Sequence, residues 1–434
     1  MDEVSFIGRA FLAKWDARLR QGRRAFFSRN GIDPDTADFG GLSIVLVGDF
    51  GQLEPIDDWS IVDTESTYAD CPARLRHLWG HQRAGLRKLA SFQEAFVLRR
   101  VHRSAEDLEW TESCLRLRDA TCTKEGDYDW WRQHDLDRGH LTPEQISYFE
   151  EEAVWLCARC EDVGARNGRK LAQMAVDRRE VIHQIRAQNS TRSARKQGAA
   201  AFEGLRDIVN LVRGCKVMLT RNVAYRYGLA NGSRGQLVGI VYGAGGIGTF
   251  PEAVIVDMPS YEGRGPALYP GQPTWVPILP MTSRKEGTKM TRTQFPLVAG
   301  FALTVNKAQG LTMPEGVVIN LAGSARFRPA AKHGLPFVAF TRSESFAMTA
   351  FKNLPPWSDF RKAKESAMLR MRNAFAAQLD GWHRQTLARH SGMAGPREEE
   401  QAQLRWSVDR SRRPKRRRMG PPRVRCPACD AARI

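Results

Sequence analysis

Short continuous apolar runs recur along the chain at Ile44–Val47, Phe96–Leu98, Val154–Cys157, Val317–Leu321 and Pro336–Thr341. Runs of this kind predict strands buried on both faces, as in a parallel sheet. The first lies in LSIVLVGDFGQLEP, Leu42–Pro55, and gives way to Gly48, Asp49, Gly51 and Gln52. Small and polar groups just past the C-terminal end of a buried strand occupy the position where open α/β sheets bind ligands. Two other runs deliver arginines. Phe96–Leu98 leads into Arg99, Arg100, Val101, His102 and Arg103, with a helix expected to open there, and Pro336–Thr341 ends at Arg342. A guanidinium at a strand end can reach a phosphate held by a neighbouring domain.

Other stretches carry a helical period. Phe11 to Arg24 predicts an amphipathic helix with Phe11, Leu12, Trp15 and Leu19 on one side, and Leu75 to Glu94 predicts another. A third follows VWLC and contains Asn167. Pro296 to Val305 reads as an apolar helix that brings Thr304, Asn306, Lys307, Gln309 and Gly310 into one loop, and a charged helix covers Asp359 to Leu387. Between Leu205 and Thr293 the texture changes to short strands with Asn-Gly and Gly-Gly turns, which suggests a small β-barrel inserted in an α/β frame. Its strands are expected to expose Arg221, Asn222 and Arg234.

Composition narrows the partners. At 434 residues and 42% hydrophobic the chain has ample core for several domains, and no window approaches the ~18 uninterrupted apolar residues of a membrane span. No membrane association and no secretion are expected. The eight cysteines are scattered in a way that suits a reducing compartment. Cys157 and Cys160, like Cys426 and Cys429, have the spacing of a metal pair, yet no histidine is placed to complete either set, and Cys157 reads better as a strand residue. A net charge of +18 points to polyanions, nucleic acid first. Nine positive charges lie between Arg410 and Arg425 without an acid among them, so the body of the chain is basic as well. Asp2 and Glu3 are the remaining chemical signal. Adjacent carboxylates suit a magnesium-bound nucleotide, one holding the metal and the next polarising a water.

Taken together, DEVSFIG, VGDFGQLEP, LRRVHRS, GLANGSRG, ALTVNKAQGLT and FVAFTRS resemble, in order and spacing, the motifs of PIF-type (petite integration frequency) superfamily-one DNA helicases, including relatives carried by helitron-like elements. The resemblance covers about residues 1 to 355. It implies an α/β fold: a RecA-like helicase core with a partial first RecA-like domain over 1–95 and a second over 96–204 and 294–390. The inserted barrel would span 205–293, and a disordered basic tail 391–434. ATP would bind between the two RecA-like sheets, with single-stranded DNA or DNA junctions across their tops.

The roles follow residue by residue. Asp2 would ligate Mg2+, Glu3 would be the general base toward water and Gln52 the γ-phosphate sensor. Arg103 and Arg342 would be arginine fingers, and Gln309 and Gly310 would face the nucleotide. Thr304, Asn306, Lys307, Arg221 and Asn222 would bind DNA. The implied activity is ATP-dependent 5′-to-3′ DNA unwinding of the kind used in repair, recombination and telomere maintenance. Departures exist: Asn306 replaces a usual His, Ser104 a Gln, Thr341 a Ser and Glu54 a Pro. The largest is that the sequence has no Gly-Lys pair and therefore no G-x-x-x-x-G-K-[ST] phosphate loop. The expectation is a helicase portion lacking its phosphate-loop half, inactive alone. The alternative is a DNA-binding remnant without catalysis, and an RNA-directed protein is a weaker one. RRPKRRR, Arg412–Arg418, suggests nuclear import, with mitochondria as the alternative destination.

Overall fold

The computed structural model describes residues 1–31, 33, 37–263, 268–321 and 334–390. In chain order the elements are α1 (Arg9–Arg29), α2 (Trp79–Leu89), α3 (Leu108–Arg118), α4 (Asp129–Trp131), α5 (Pro143–Glu151), β1 (Val154–Cys157) and α6 (Cys160–Arg178). There follow β2 (His183–Arg186), β3 (Gln188–Asn189), α7 (Arg192–Arg195), β4 (Ile208–Leu211), β5 (Lys216–Leu219), β6 (Arg234–Val241), β7 (Ala253–Asp257), β8 (Trp275–Ile278), β9 (Met281–Arg284) and β10 (Thr291–Gln294). The last are β11 (Leu297–Ala299), β12 (Ala302–Thr304), α8 (Val305–Ala308), β13 (Val317–Asn320), α9 (Gly334–Phe340), β14 (Thr349–Lys352), α10 (Trp357–Lys362) and α11 (Ala367–His390). The described residues divide into two compact units, one of Met1–Phe92 with Leu98–Ala376 and one of Gln93–Val97 with the described residues from Ala377 onward.

The centre of the first unit is a parallel sheet of order β12-β1-β13-β14. Alternation along β1 sends Val154 and Leu156 to one face and Trp155 and Cys157 to the other. The first face packs on Val305, Phe340 and Phe351 in a core that also holds Trp110 and Trp131. The second meets Phe149, Val163, Ala302 and Val318. Both faces are covered, which is why the strand carries no polar residue. The helix before it is fixed locally: Pro143 starts α5, and Thr142 with Gln145 forms a reciprocal capping box.

A separate core lies under an antiparallel sheet of order β11-β5-β6-β7-β8, flanked by the sheets β3-β10-β9 and β2-β4. The sequence suggested a small barrel here. Among the described residues the first and last strands of the five do not pair, so this sheet is open. Among the described residues no helix is long and apolar enough to cross a membrane.

Several expected elements differ. Pro336–Thr341 was expected as a strand but lies mostly within α9, with Pro336 in the first turn and Thr341 N donating to Phe337 O at 3.0 Å. A short, wholly buried run does not by itself distinguish the two periods, and a proline in the first turn loses no helical bond. The helix expected over Pro296–Val305 is instead β11, a turn at Gly300, β12 and the start of α8. Gly300 N donates to Lys216 O at 2.8 Å, and a Cβ on Gly300 would sit 3.1 Å from the Val217 carbonyl carbon, so the chain is drawn into the sheet there.

Ile44–Val47 is not a doubly buried strand, since Val45 is 69% exposed. Its ladder partner is residues 1–4, through Met1 N to Val45 O (2.7 Å), Val47 N to Met1 O (2.8 Å) and Val4 N to Val47 O (2.9 Å). Phe96 and Leu98 are likewise exposed, in a segment that is neither helix nor strand, and α3 opens later, at Leu108, where Asp107 accepts the Trp110 N–H at 2.9 Å. In α1 Phe11 faces solvent, while Leu12, Ala13 and Asp16 are buried. The N-cap of α1 is Gly8, which offers no side chain; Asp58 instead accepts the N–H groups of Ala10 (3.2 Å) and Phe11 (3.0 Å).

Candidate functional site

Glu3 has a positive φ of 54°, uncommon for a residue with a side chain. Gln309 Nε2 donates to its Oε2 at 2.5 Å and reaches Ser5 Oγ at 3.4 Å. Gly310, φ 78°, follows so closely that a Cβ there would lie 3.4 Å from Glu3 Oε1. The start of the chain and the Gln-Gly-Leu-Thr loop therefore form one place. Asp2 is exposed beside it and accepts the Glu3 N–H on Oδ1 at 2.8 Å, leaving Oδ2 free of that bond.

The two arginines differ in presentation. Arg342, just after α9, is 2% exposed. It donates Nε to Val338 O (2.8 Å), Nη1 to Leu311 O (2.9 Å) and Nη2 to Thr341 Oγ1 (2.9 Å). Burial, and then the positive Arg103, pull its pKa down to about 9 against the favourable pull of Glu3. Arg103 is solvent-accessible and donates Nη1 to Thr341 O at 2.8 Å. Partial burial lowers its pKa, opposed by Glu344 and Glu3. Glu3 thus acts on both guanidinium groups. The sequence expected each arginine at a strand end; instead Arg342 follows a helix and Arg103 an irregular segment.

Gln52 follows a turn closed by its own N–H to Asp49 O at 3.0 Å. Its backbone lies against the start of α9, where a Cβ on Gly334 would come within 2.2 Å of Gln52 O. The side-chain oxygens of Gln52 and Gln309 are both buried without a hydrogen-bond partner. A carboxamide can present an acceptor or, turned over, two donors, so such groups fit a ligand carrying both water and phosphate oxygens.

On the other side of the same loop, Thr304 and Lys307 line a cleft with Cys160, Asn167, Arg206 and Met218. Asn167 is tied to the sheet, its Oδ1 accepting from Ala302 N (2.9 Å) and its Nδ2 donating to Ala299 O (3.1 Å). Lys307 keeps its ammonium below the ordinary lysine range through burial and through Arg206. Asn306 is half-buried nearby in α8. Arg206 and Cys160 escape sequence reasoning, because no spacing relates them to Lys307. Asn222 is exposed, but Arg221 pairs with Glu203 and Arg234 with Glu315, so these arginines are not free on the surface as expected. The turn reaches the loop all the same: a Cβ on Gly232 would lie 3.3 Å from Leu311 Cδ2.

The parallel sheet, with its acids and arginines gathered around the Gln309–Gly310 loop, gives the chain a RecA-like α/β fold. Its likeness is to proteins described as PIF1 or Pif1 helicases. ATP-dependent DNA helicase PIF1 of Danio rerio is 24% identical over 349 residues, 80% of this chain and 44% of that protein. The chain spans less than half the length of this relative. The Pif1 helicase of Candida albicans superposes with a TM-score of 0.58 at 20% identity, over 87% of this chain and 76% of that one. Pif1 from Bacteroides, solved with ADP-AlF3 and single-stranded DNA, gives 0.55 at 18% identity, over 84% and 75%. No family model matches the chain.

Proposed function

We propose that this chain belongs to an ATP-dependent 5′-to-3′ DNA helicase and supplies the γ-phosphate side of its nucleotide site together with a surface that tracks single-stranded DNA. The observation that carries this reading is that Glu3, Gln309, Arg103 and Arg342 share one electrostatic neighbourhood, while Thr304 and Lys307, a few residues from Gln309, border a basic cleft. Motion at one ligand is then felt at the other through a single short segment.

The donor set suits Mg2+, which is often held by one or two carboxylates plus phosphate oxygens. Asp2 would supply that carboxylate, and the ion would neutralise phosphate charge. Glu3 would take the proton of the attacking water, and Gln52 would orient that water. Arg103, the accessible guanidinium, would meet charge developing on the transferred group, with Arg342 fixing the loop beside it. The cradle for the remaining phosphates has no counterpart in a sequence without a Gly-Lys pair. That fact favours a second reading, a DNA-binding protein with no hydrolysis of its own.

Hydrolysis of MgATP, measured with and without single-stranded DNA, separates the two. Turnover that Glu3→Gln abolishes supports the first reading. Salt-dependent DNA binding without turnover supports the second, and neither binding nor turnover sinks both. DNA junctions as substrate, a role in repair, recombination or telomere maintenance, and a nuclear destination through Arg412–Arg418 belong to the same proposal. The basic run lies outside the described residues. A reporter carrying residues 405–434 tests the destination, and a diffuse cytoplasmic signal removes it.

A further inference from the structure

Tyr225, Arg226 and Tyr227 occupy the turn between β5 and β6, and no step proposed above uses them. Tyr225 is 64% and Tyr227 43% exposed. Exposed rings on a slack loop would be unremarkable, but this turn is tightly held. Val223 N and Ala224 N both donate to Leu229 O at 3.0 Å, Tyr227 N donates to Ala224 O at 2.9 Å, and Glu262 N donates to Tyr227 O at 2.9 Å. Gly228 O accepts from Ser233 Oγ (2.8 Å) and Ser260 Oγ (3.0 Å). Gly228 is required, since φ is 80° and a Cβ would fall 1.7 Å from Ser260 O. Leu229 is buried beneath as the anchor. The backbone has one shape, and the rings it displays stay in water.

Arg226 folds over the first ring, its Nε donating to Tyr225 Oη at 3.2 Å with the guanidinium carbon 5.9 Å from the ring centroid. Two exposed rings on a hydrogen-bonded backbone, with a guanidinium beside the first, form a surface for flat, anionic polymers. Every base has a π-face to stack, and a guanidinium can pair with phosphate beside it. The position agrees, because the same turn carries Asn222, whose Oδ1 accepts from Asn231 N at 2.8 Å, and reaches Leu311 through Gly232.

We propose that Tyr225, Arg226 and Tyr227 form a stacking clip for the bases of single-stranded nucleic acid, an inference that rests on the nucleic-acid reading above. Fluorescence anisotropy with the full chain tests it, using labelled oligo-dT and an abasic oligomer of equal length. The Tyr225→Ala/Tyr227→Ala double variant loses about tenfold or more in oligo-dT affinity and nothing for the abasic strand. The Tyr225→Phe/Tyr227→Phe variant, which keeps both rings, binds oligo-dT like the unaltered chain. Equal oligo-dT affinity in the alanine variant, or an equal loss on both strands, overturns the clip. An unaltered chain that binds neither strand overturns the nucleic-acid reading itself, and the clip with it.

Discussion

Ile44–Val47 and Val154–Cys157 look alike in the sequence, each an apolar run of four before a polar loop, yet they end in opposite environments. Leu156 is 0% exposed and Val45 69%. β1 has a neighbour on each edge and a packed layer on each face, whereas the earlier run has residues 1–4 beside it and water over Val45 and Val47. An apolar run therefore states a demand for partners. Whether the demand is met depends on which strands and helices reach it.

That contrast can be pressed by substitution. Leu156→Ala empties space in the core that also holds Val305, Phe340 and Phe351, and should cost about 3 kcal/mol in denaturant unfolding; a loss under about 1 kcal/mol would break the contrast. Arg342→Met keeps most of the volume but leaves the Leu311 carbonyl without its donor and that of Val338 with Thr341 Oγ1 alone. It should cost about 2 kcal/mol by thermal or denaturant melting.

His134 borders the same sheet, its Nδ1 2.7 Å from Thr349 O and its ring stacked on Phe346. Burial holds its pKa below the ordinary histidine value despite the carbonyl contacts of Thr349 and Phe346. The unfolded chain then binds more protons, so this stability is present above about pH 6.5 and lost as pH falls through the folded value. The melting temperature should drop between pH 7 and 5, and His134→Gln should flatten that dependence. Val45→Thr, on the exposed run, should change stability by less than about 0.5 kcal/mol in the same melts.

What could be read in advance follows the same logic. β1, α6 and β13 were visible because sequence-local patterns matched their final environment. The Gln309–Gly310 loop was visible through its motif, and its approach to Glu3 had been implied only by the resemblance. β11 and β12 were hidden because what draws them into sheets is the backbone of Lys216 and of β1, distant in the chain. α9 was hidden because seven buried residues satisfy either period. The cleft residues Cys160 and Arg206 leave no trace in spacing, since α6 brings the first, and the segment before β4 the second, to Lys307 on α8. The burial of Arg342 was equally unreadable, because all its acceptors but Thr341 Oγ1 are main-chain carbonyls, which any residue could have supplied.

The cap on α1 carries a consequence for the order of events in folding. Gly8 cannot close the first turn of that helix, and the acceptors come from Asp58, about fifty residues later. A helix of 21 residues can form its middle early, but its opening amides stay exchangeable until the later segment arrives. The amides of Ala10 and Phe11 thus report on the docking of residues 58–63, where Arg9 and Asp63 make a buried ion pair at 3.2 Å, and not on the helix that contains them. Native-state hydrogen exchange should therefore assign the two ends of α1 to different cooperative units, and equal protection at both ends would contradict that.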